Sequence, residues 1–488
     1  MKKRKKSSIV SKSKLTGDGS LAGNRNGVRV KQSPHRSKSN QVRKHVKRVD
    51  RKLVAASEIL RQAAYAVSRL VEADETGKHG VSLKSLTLGS HVKQKKAVYA
   101  VTVETLKYYT ILETLGRSVG LLSVENSGMS VATCCVLIKE VVLGSGLSRV
   151  GPAEKIVLHH ENTLKNALKT LMEERGVHEP AGLLAENALA VAAQARRRTV
   201  RVNTLKASID DVRDILQEDF GNVYDNVHIS EVLELDPGTD LHSHRLVRNG
   251  SIILQSLASC IPAFILDPKH SWNVLDACAA PGNKTTHVAA ILSQKAQQAE
   301  MGHVIAFDKD PKRLQRLKQN VSLTGATSII HPHCSDFLKT DPDEYRHVDA
   351  ILLDPSCSGS GTSVSRMDYL LPSSHACLGK GTMYTDKRVK QLSAFQISAI
   401  KHAMTFSNVK RIVYSTCSIY QEENEGVVAQ VLPYAHEHGF KLQKCFDTWH
   451  RRGISTENGL SPKDALKVVR IDPLEDGTDG FFVAMFEK

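Results

Sequence analysis

Residues 276–285 read Asp-Ala-Cys-Ala-Ala-Pro-Gly-Asn-Lys-Thr, and they follow the apolar residues Val274 and Leu275. Small residues at the end of a strand let the backbone approach a ligand closely, and a helix that begins there offers free N–H groups. The stretch lacks the Gly-x-Gly-x-x-Gly spacing of dinucleotide-binding turns and the Lys-Ser/Thr register of a phosphate-binding loop. It predicts a strand, a tight turn and a helix that together hold a ligand.

The same alternation of strand and helix continues to the end of the chain. The predicted strands are Val274–Asp276, Val304–Asp308, Val348–Asp354, Arg411–Thr416 and Phe481–Phe486. The predicted helices are Thr285–Gln297, Pro311–Leu323, Val389–Thr405 and Glu422–His438. Apolar strands that alternate with amphipathic helices are typical of an α/β protein with a doubly wound, mainly parallel, Rossmann-like sheet. Ligands of such sheets bind outside the carboxyl ends of the strands, so the candidate site lies there.

Three regions precede this α/β domain, which we place at residues 271–488. Residues 1–52 cannot bury enough apolar surface to offset their ordering entropy, so we predict a disordered basic tail. Apolar residues at three- and four-residue spacing predict a helical accessory domain at 53–195. Residues 196–270 predict a small α+β unit. Its expected elements are a strand from Thr199, a helix at Ile209–Phe220, and strands around Val227–Leu235 and Ser251–Leu254.

The net charge of the chain belongs to its tail. The 488 residues carry a formal charge of +16, and residues 1–52 hold 18 Lys and Arg against two acids, whereas the other 436 residues hold 49 of each sign. Clustered cations favour nuclear import or contact with RNA phosphates, although a solubilising tail is the alternative. No apolar run reaches the ~18 residues of a membrane span, and no apolar core follows the first charges as in a secretory signal. Nine cysteines, an odd number, indicate reduced thiols in an intracellular protein.

Two acids stand where a nucleoside cofactor would bind. Asp308 ends the second predicted strand, and its carboxylate is placed to accept hydrogen bonds from the hydroxyls of a ribose. Asp336 follows the segment His331–Ser335, where it is suitably placed for an adenine amino group. A single acid at such a place is more often a helix cap. Acids after successive strands favour the cofactor interpretation.

Two cysteines follow the ends of later strands. Cys357 lies in Asp354-Pro-Ser-Cys-Ser-Gly-Ser-Gly, and Cys417 lies in Tyr414-Ser-Thr-Cys-Ser. Adjacent strands would bring both thiols to one edge of the sheet, which indicates thiol chemistry. Zinc is a competing interpretation, but no Cys-x-x-Cys or His pair accompanies these residues. We assign the following cysteines to packing or surface positions: Cys134, Cys135, Cys260, Cys377 and Cys445.

These strings, in this order, resemble the NSUN family of S-adenosylmethionine-dependent RNA cytosine-5 methyltransferases, of the RsmB/NOP class. The resemblance covers roughly residues 198–488. Asn283, Gln255, Ser259 and the ending Asp479-Gly-Phe-Phe-Val-Ala are most similar to the branch of the fifth member, which modifies a cytosine in large-subunit (25S/28S) rRNA. Ser256 is a departure, because relatives commonly carry Asp there, and the difference would affect packing beneath the cofactor.

The resemblance implies a role for each candidate residue. S-adenosyl-L-methionine would be held at its methionine end by Cys278, Ala279, Ala280, Pro281, Gly282, Asn283 and Lys284. Asp308 would hold its ribose, Asp336 its adenine, and Arg313 would lie nearby, although an ordinary exposed helix arginine is the alternative. Asp354 would face the target base and the methyl group, as the acid that balances charge at N3.

The resemblance also assigns the two thiols. A thiolate that adds to C6 of cytosine makes C5 nucleophilic toward a methyl donor. In the family the cysteine of Thr-Cys-Ser attacks and that of Pro-Ser-Cys assists product release, which gives these roles to Cys417 and Cys357. Chemistry alone leaves the two roles interchangeable.

A target base must leave its stack to enter such a site, which favours a loop, a single strand or a partly assembled ribonucleoprotein. The resemblance implies large-subunit, pre-ribosomal RNA as the partner, and together with the basic tail it implies a nuclear and nucleolar location. The tail and the triplet Arg196, Arg197 and Arg198 would supply backbone affinity that weakens with salt, although a solvated face is the alternative for the triplet. Residues 362–387 are expected to form a mobile loop over the site. No membrane and no metal are expected, and the oligomeric state stays open. Two other interpretations compete: a non-catalytic ribosome-assembly factor and, less well supported, an NAD-dependent dehydrogenase.

Overall fold

A computed structural model describes residues 53–488 apart from 77–80, 123–127, 185–186, 297–299, 377–382 and 458. The tail predicted at 1–52 lies outside the described residues. The first described region is helical, as predicted. Its helices are α1 (Glu58–Thr76), α2 (Leu83–Thr87), α3 (Lys95–Lys107), α4 (Tyr109–Ser118), α5 (Val131–Val142), α6 (Pro152–His159), α7 (Glu161–Glu174) and α8 (Ala188–Ala195).

Helix α5 lies at the centre of this helical domain. Residues 132–138 of α5 are all buried, and α1, α3, α4, α6 and α7 pack around it. The helix begins at Ser130, whose hydroxyl accepts a hydrogen bond from Thr133 N, so one free amide of the first turn is satisfied. Cys134 and Cys135 are fully buried in this core, in agreement with their assignment to packing.

The α+β unit is a four-stranded antiparallel sheet in the order β2-β3-β1-β4. Its elements are β1 (Arg198–Val202), α9 (Ile209–Phe220), β2 (Val223–Asp225), β3 (Val232–Leu235), α10 (Arg245–Arg248) and β4 (Ile252–Ile253). The helix α9 and the strands β1 and β4 agree with the prediction. The strand expected around Val227–Leu235 is present only from Val232, where β3 pairs with β1, and β2 was not predicted.

The remaining elements form an eight-stranded sheet with helices on both faces. They are α11 (Leu257–Leu266), β5 (Val274–Asp276), α12 (Asn283–Ala296), β6 (Val304–Phe307), α13 (Pro311–Thr324), β7 (Ile330–His333), β8 (Ala350–Leu353), α14 (Ser363–Arg366), α15 (Pro372–Ala376), α16 (Met383–Ala403), β9 (Arg411–Thr416), α17 (Glu425–Glu437), β10 (Lys441–Gln443), α18 (Pro462–Ala465), β11 (Val469–Ile471) and β12 (Phe481–Glu487). Every residue of β5, β6 and β8 is buried, as expected for central parallel strands.

The strand order places the candidate site. The order is β10-β12-β9-β8-β5-β6-β7, with β12 antiparallel to both of its neighbours in this series and β11 paired to it. From β5 the chain moves outward through β6 and β7, then returns to β8 on the opposite side. Ligands bind where the order reverses, at the carboxyl ends of β5 and β8. This is a Rossmann-like sheet with an added antiparallel strand. Strand β7 was not among the predicted strands, because this edge strand contains Pro332 between two histidines.

A buried side chain just after β1 joins the α+β unit to the large sheet. Asn203 is fully buried, and its Nδ2 donates to the carbonyl oxygens of Gly250 (2.8 Å) and Thr324 (2.9 Å). Thr324 ends α13, so one amide group links the unit to a helix that lies against the candidate site.

We therefore expect Asn203→Ala to destabilise the protein by roughly 2–4 kcal/mol, because two buried carbonyls lose their donor. Chemical denaturation followed by circular dichroism measures the change. Asn222→Ala is the matched control, since this exposed asparagine donates to Asp236 on the surface, and it is expected to change stability by less than about 0.5 kcal/mol. Equal losses in the two variants would contradict the account.

Candidate active site at the carboxyl ends of the central strands

The turn between β5 and α12 is held by contacts to its backbone. Ala279 N donates to Phe307 O (2.8 Å), Arg313 Nη2 donates to Ala280 O (2.6 Å), and Asn320 Nδ2 donates to Pro281 O (2.7 Å). Gly282 has a φ of +110°, and a Cβ there would lie 2.7 Å from Leu317 Cδ1. The turn therefore requires glycine at this position and is shaped by helix α13 before any ligand arrives.

Beneath the turn, Asp276 receives two hydrogen bonds. Thr285 Oγ1 donates to it at 2.8 Å and Cys278 N at 3.3 Å. Burial raises the pKa of Asp276 to about 7, and burial also raises the pKa of the Cys278 thiol to about 12. Cys278 therefore stays protonated near neutral pH and is not a nucleophile.

The two predicted cofactor acids lie after β6 and β7. The Asp308 side chain is only 2% exposed, accepts from Asp310 N and lies 3.3 Å from Arg313 Nη2. Arg313 thus contacts both this acid and the turn, while half of its side chain stays exposed. Asp336 accepts from Leu338 N (3.3 Å) and so also caps the short helix that follows it. Cofactor contact by these two acids stays a prediction.

The two predicted thiols meet. Strands β8 and β9 are parallel neighbours, and Cys357 Sγ lies 3.0 Å from Cys417 Sγ. The loops that carry them are tied together, because Gly361 N donates to Cys417 O (2.9 Å). The buried Glu423 accepts from Ser358 N (2.9 Å) and fixes the residue next to Cys357.

A lysine connects the turn to the thiols. Lys284 Nζ donates to Asp354 Oδ2 (2.8 Å), and Ser415 Oγ donates to Asp354 Oδ1 (2.9 Å). Burial disfavours the charge on Lys284, but the Asp354 carboxylate outweighs it and raises the pKa of the lysine. The lysine is therefore an ammonium, and Asp354 lies between it and the strand that delivers Cys417.

The surroundings of the two thiols differ. The hydrogen bond between the two sulfurs could have either thiol as its donor. It lowers the pKa of Cys417 in spite of burial, and the Lys284 ammonium lowers this pKa further. The same hydrogen bond, together with burial, raises the pKa of Cys357. These pKa directions and the nearby ammonium favour a Cys417 thiolate that accepts from a Cys357 thiol.

Arg201 supports the turn from the α+β unit and was not recognised in the sequence. It is fully buried, and it donates to Gln255 Oε1 (3.0 Å), Thr286 Oγ1 (3.1 Å) and Asn283 O (3.3 Å). The signal was a charged residue flanked by Val200 and Val202 in a strand that is buried at this end. Its partners lie on other elements, so the strand pattern alone could not assign them.

The arginine triplet predicted to bind RNA does not act as one surface. Arg196 is 13% exposed, and its guanidinium donates to Asp479, Ser365, Thr478 O and Pro473 O. Arg197 lies 3.8 Å over the Tyr224 ring and 3.2 Å from Glu234. Arg198 is partly buried in β1. The solvated-face alternative is wrong for Arg196, whose guanidinium is held by internal acceptors, and RNA contact stays a prediction for the triplet.

Two of the remaining cysteines agree with their assignment to packing. Cys260 and Cys445 are buried, as expected, while Cys377 lies outside the described residues.

In the described part of the chain, no group of three or more His, Cys, Asp or Glu side chains is placed to hold a metal ion. None of the described helices has the length and apolar character needed to cross a bilayer. Of the mobile loop expected at 362–387, residues 363–376 form short helices, and side chains of this part pack against the helical domain. Residues 377–382 lie outside the described residues, and residues 383–387 begin α16.

Comparison with known proteins defines the class first. A family model described as 16S rRNA methyltransferase RsmB/F matches residues 263–487, and one described as NOL1/NOP2/Sun domain family member 5, N-terminal domain, matches residues 96–184. The crystal structure of PH0851 covers 90% of this chain and all of its own, with a TM-score of 0.60 and 23% identity, which supports the fold. The description of the larger match indicates an rRNA methyltransferase.

Two curated relatives narrow the assignment. The 25S rRNA (cytosine-C(5))-methyltransferase NSUN5 of Arabidopsis thaliana is 39% identical over 432 residues, 88% of this chain and 72% of that protein. The 28S rRNA (cytosine-C(5))-methyltransferase of Mus musculus is 37% identical over 449 residues, 87% of this chain and 90% of that protein. The chain belongs to the NSUN5 family and is an RNA cytosine-5 methyltransferase.

The site fits the methyl donor of this class. The protein groups that would hold it are a buried carboxylate after β6, a second carboxylate after β7 and a glycine-containing turn before α12. Such a set suits a nucleoside that carries an amino-acid chain, and the enzyme uses S-adenosyl-L-methionine.

The difference between the thiols gives a direct test. We expect Cys417 to be alkylated by iodoacetamide with a midpoint below the ordinary cysteine pKa of about 8.5, and Cys357 with a midpoint above it. Cys357→Ala and Lys284→Met should each raise the Cys417 midpoint, because each removes a group that stabilises the thiolate. Peptide mass spectrometry across pH 5–10 (about half-unit steps) resolves both sites.

The matched control is Cys334→Ala, which removes an exposed thiol and should leave the Cys417 midpoint unchanged. A Cys417 midpoint at or above that of Cys357 in the wild type would overturn the assignment of the thiolate.

Proposed function

We propose that the protein forms 5-methylcytosine in large-subunit rRNA through a covalent bond between Cys417 Sγ and C6 of the target cytosine. The relatives named as 25S and 28S rRNA methyltransferases support the substrate class. The observation that supports the mechanism is the hydrogen-bonded pair of sulfurs of Cys357 and Cys417, 3.0 Å apart, in which we take Cys357 as the donor.

Attack begins at Cys417. Its thiolate forms a bond to C6, and the electron pair of the C5–C6 double bond moves toward C5 as the ring accepts a proton at N3. Asp354 is the candidate acid at N3, and the Lys284 ammonium, 2.8 Å from it, supplies the proton that Asp354 passes to the ring. S-adenosylmethionine supplies an electrophilic methyl group.

Release reverses the attack. A base removes the C5 proton, the C5–C6 double bond re-forms, the proton at N3 is returned, and the Cys417 sulfur departs with the electron pair of its bond to C6. The thiol of Cys357, 3.0 Å from Cys417 Sγ in the free protein, donates a hydrogen bond to that departing sulfur. Cys357 therefore assists product release, and its removal slows this step more than the attack.

Both oxygens of the Asp354 carboxyl group accept hydrogen bonds. Ser415 and Lys284 each donate to one of its oxygens, so its carboxyl group is fixed between the β9 end and the turn. An oriented carboxylate can accept from the cytosine amino group and keep the ring over Cys417. This assigns Asp354 to base contact and charge balance.

RNA delivery and location complete the proposal. The tail at 1–52, with its net charge of +16, would supply affinity for the RNA backbone and a nuclear and nucleolar address. Pre-ribosomal RNA is the natural substrate, because a cytosine there can be unstacked before the subunit is complete.

The test is covalent trapping. Wild type, Cys357→Ala and Cys417→Ala are incubated with S-adenosylmethionine and RNA from cells that lack the protein, and adducts that survive denaturant are counted. We expect Cys357→Ala to accumulate the adduct because release is slowed, and Cys417→Ala to form none and to lose methyl transfer.

The control is Cys445→Ala, which removes a buried thiol that lies outside the site and should behave as wild type. An adduct only in Cys417→Ala would exchange the roles of the two thiols. Normal growth and ribosome assembly with Cys417→Ala, without methyl transfer by any form, would favour the assembly-factor hypothesis instead.

A further inference from the structure

One segment runs from the thiol pair into the helical domain. We call residues 361–374 the bridging segment. At its start, Gly361 N donates to Cys417 O (2.9 Å) and Gly361 O accepts from Gly480 N (2.8 Å). A Cβ on Gly361 would lie 2.0 Å from Gly480 O, so the two backbones are in close contact. The start of the segment is therefore part of the wall of the active site.

The middle of the bridging segment is held by Arg196. Ser365 Oγ donates to Asp479 Oδ1 (2.5 Å), and Arg196 Nη1 donates to both of these side chains. Arg196 lies between α8 and β1, where the chain leaves the helical domain. Its guanidinium therefore joins three parts of the protein: that connection, the bridging segment and the loop before β12.

The end of the bridging segment is buried in the helical domain. Leu370 is 6% exposed and belongs to the core formed around α5. Tyr99 Oη donates to Met367 Sδ (2.9 Å), and Asn187 Nδ2 donates to Tyr369 O (3.3 Å). These contacts involve α3 and the start of α8, so the segment completes a core that the helices alone leave open.

A polar contact adds to this docking on α1. Ser373 N and Ser373 Oγ donate to the two oxygens of Asp74, at 2.9 and 2.5 Å. Between the two ends, Met367 has a φ of +63°, a conformation that costs a residue with a Cβ free energy. The contacts on both sides hold the segment in this strained form.

We propose that the helical domain positions the two thiols, acting through the bridging segment on the loop that carries Cys357. Leu370 lies only thirteen residues after Cys357, and Gly361 between them bonds directly to the Cys417 backbone. A packed core transmits small displacements instead of absorbing them, so the domain that binds Leu370 also fixes the distance between the sulfurs. This inference rests on the proposed function for the purpose of that distance.

The test compares two leucines of the same core in the full chain. Leu370→Ala removes the anchor of the bridging segment, whereas Leu164→Ala makes the same truncation at a fully buried site on α7. We expect Leu370→Ala to lower kcat for methyl transfer about 10- to 100-fold, because the reacting groups lose their alignment, with KM for S-adenosylmethionine unchanged. It should also raise the alkylation midpoint of Cys417. Leu164→Ala should leave both readouts near wild type.

A surface pair covers the case in which Leu370→Ala fails to fold. Asp74→Ala removes the two bonds to Ser373, and Glu75→Ala changes the exposed neighbour on the same helix. We expect Asp74→Ala to shift the Cys417 alkylation midpoint upward and Glu75→Ala to leave it in place.

The alkylation readout needs no RNA, so it separates this inference from the proposed function. A wild type without methyl transfer would refute the proposed function, while the shift in Leu370→Ala would still support the positioning role. Equal effects of Leu370→Ala and Leu164→Ala, or no shift in Leu370→Ala and Asp74→Ala, would overturn the positioning role.

Discussion

The contact between two sulfurs, 3.0 Å apart, is the constraint on which the rest of the site depends. It requires β8 and β9 to be parallel neighbours in one register, with Leu353 opposite Tyr414. A shift by one residue would exchange the faces of the strand and separate the thiols. The sheet core holds the two strands in this register. Glu423 and Gly361 each hold a loop that follows one of these strands.

Charge is arranged around that contact by partly buried side chains. Lys284 and Asp354 form an ion pair whose side chains are 14% and 26% exposed. Removing one member of a buried pair leaves the other charge uncompensated, so the pair is a fixed feature of the site. Because Lys284 lies in the first turn of α12, next to the turn that would hold the methyl donor, one charged group serves both the donor site and the thiolate.

The sequence allowed the central elements to be predicted because their signal is local. β5, β6 and β8 are short apolar runs bounded by turns, and Cys357 and Cys417 follow strand ends, so the sheet rule alone brings them to one edge. The edge strand β7 was not predicted because its signal is not local. β7 carries Pro332 and two histidines, and its identity as a strand depends on pairing with β6.

What the sequence could not reveal depends on distant partners. Arg201 acts on residues 54 to 85 positions away, and Arg196 on residues up to 283 positions away. Leu370 looked like part of a polar loop because its partners lie in helices that precede it by more than two hundred residues. Nothing in the local pattern distinguishes a docked segment from a free one, which is why a loop over the site was expected.

Base-resolution mapping of 5-methylcytosine by bisulfite sequencing tests the central claim most directly. Large-subunit rRNA would be compared from cells without the protein and from the same cells carrying wild type or Cys417→Ala. The account predicts one or more cytosines that lose methylation without the protein, regain it with wild type and stay unmethylated with Cys417→Ala. Restoration by Cys417→Ala, or an unchanged methylation pattern in cells without the protein, would contradict it.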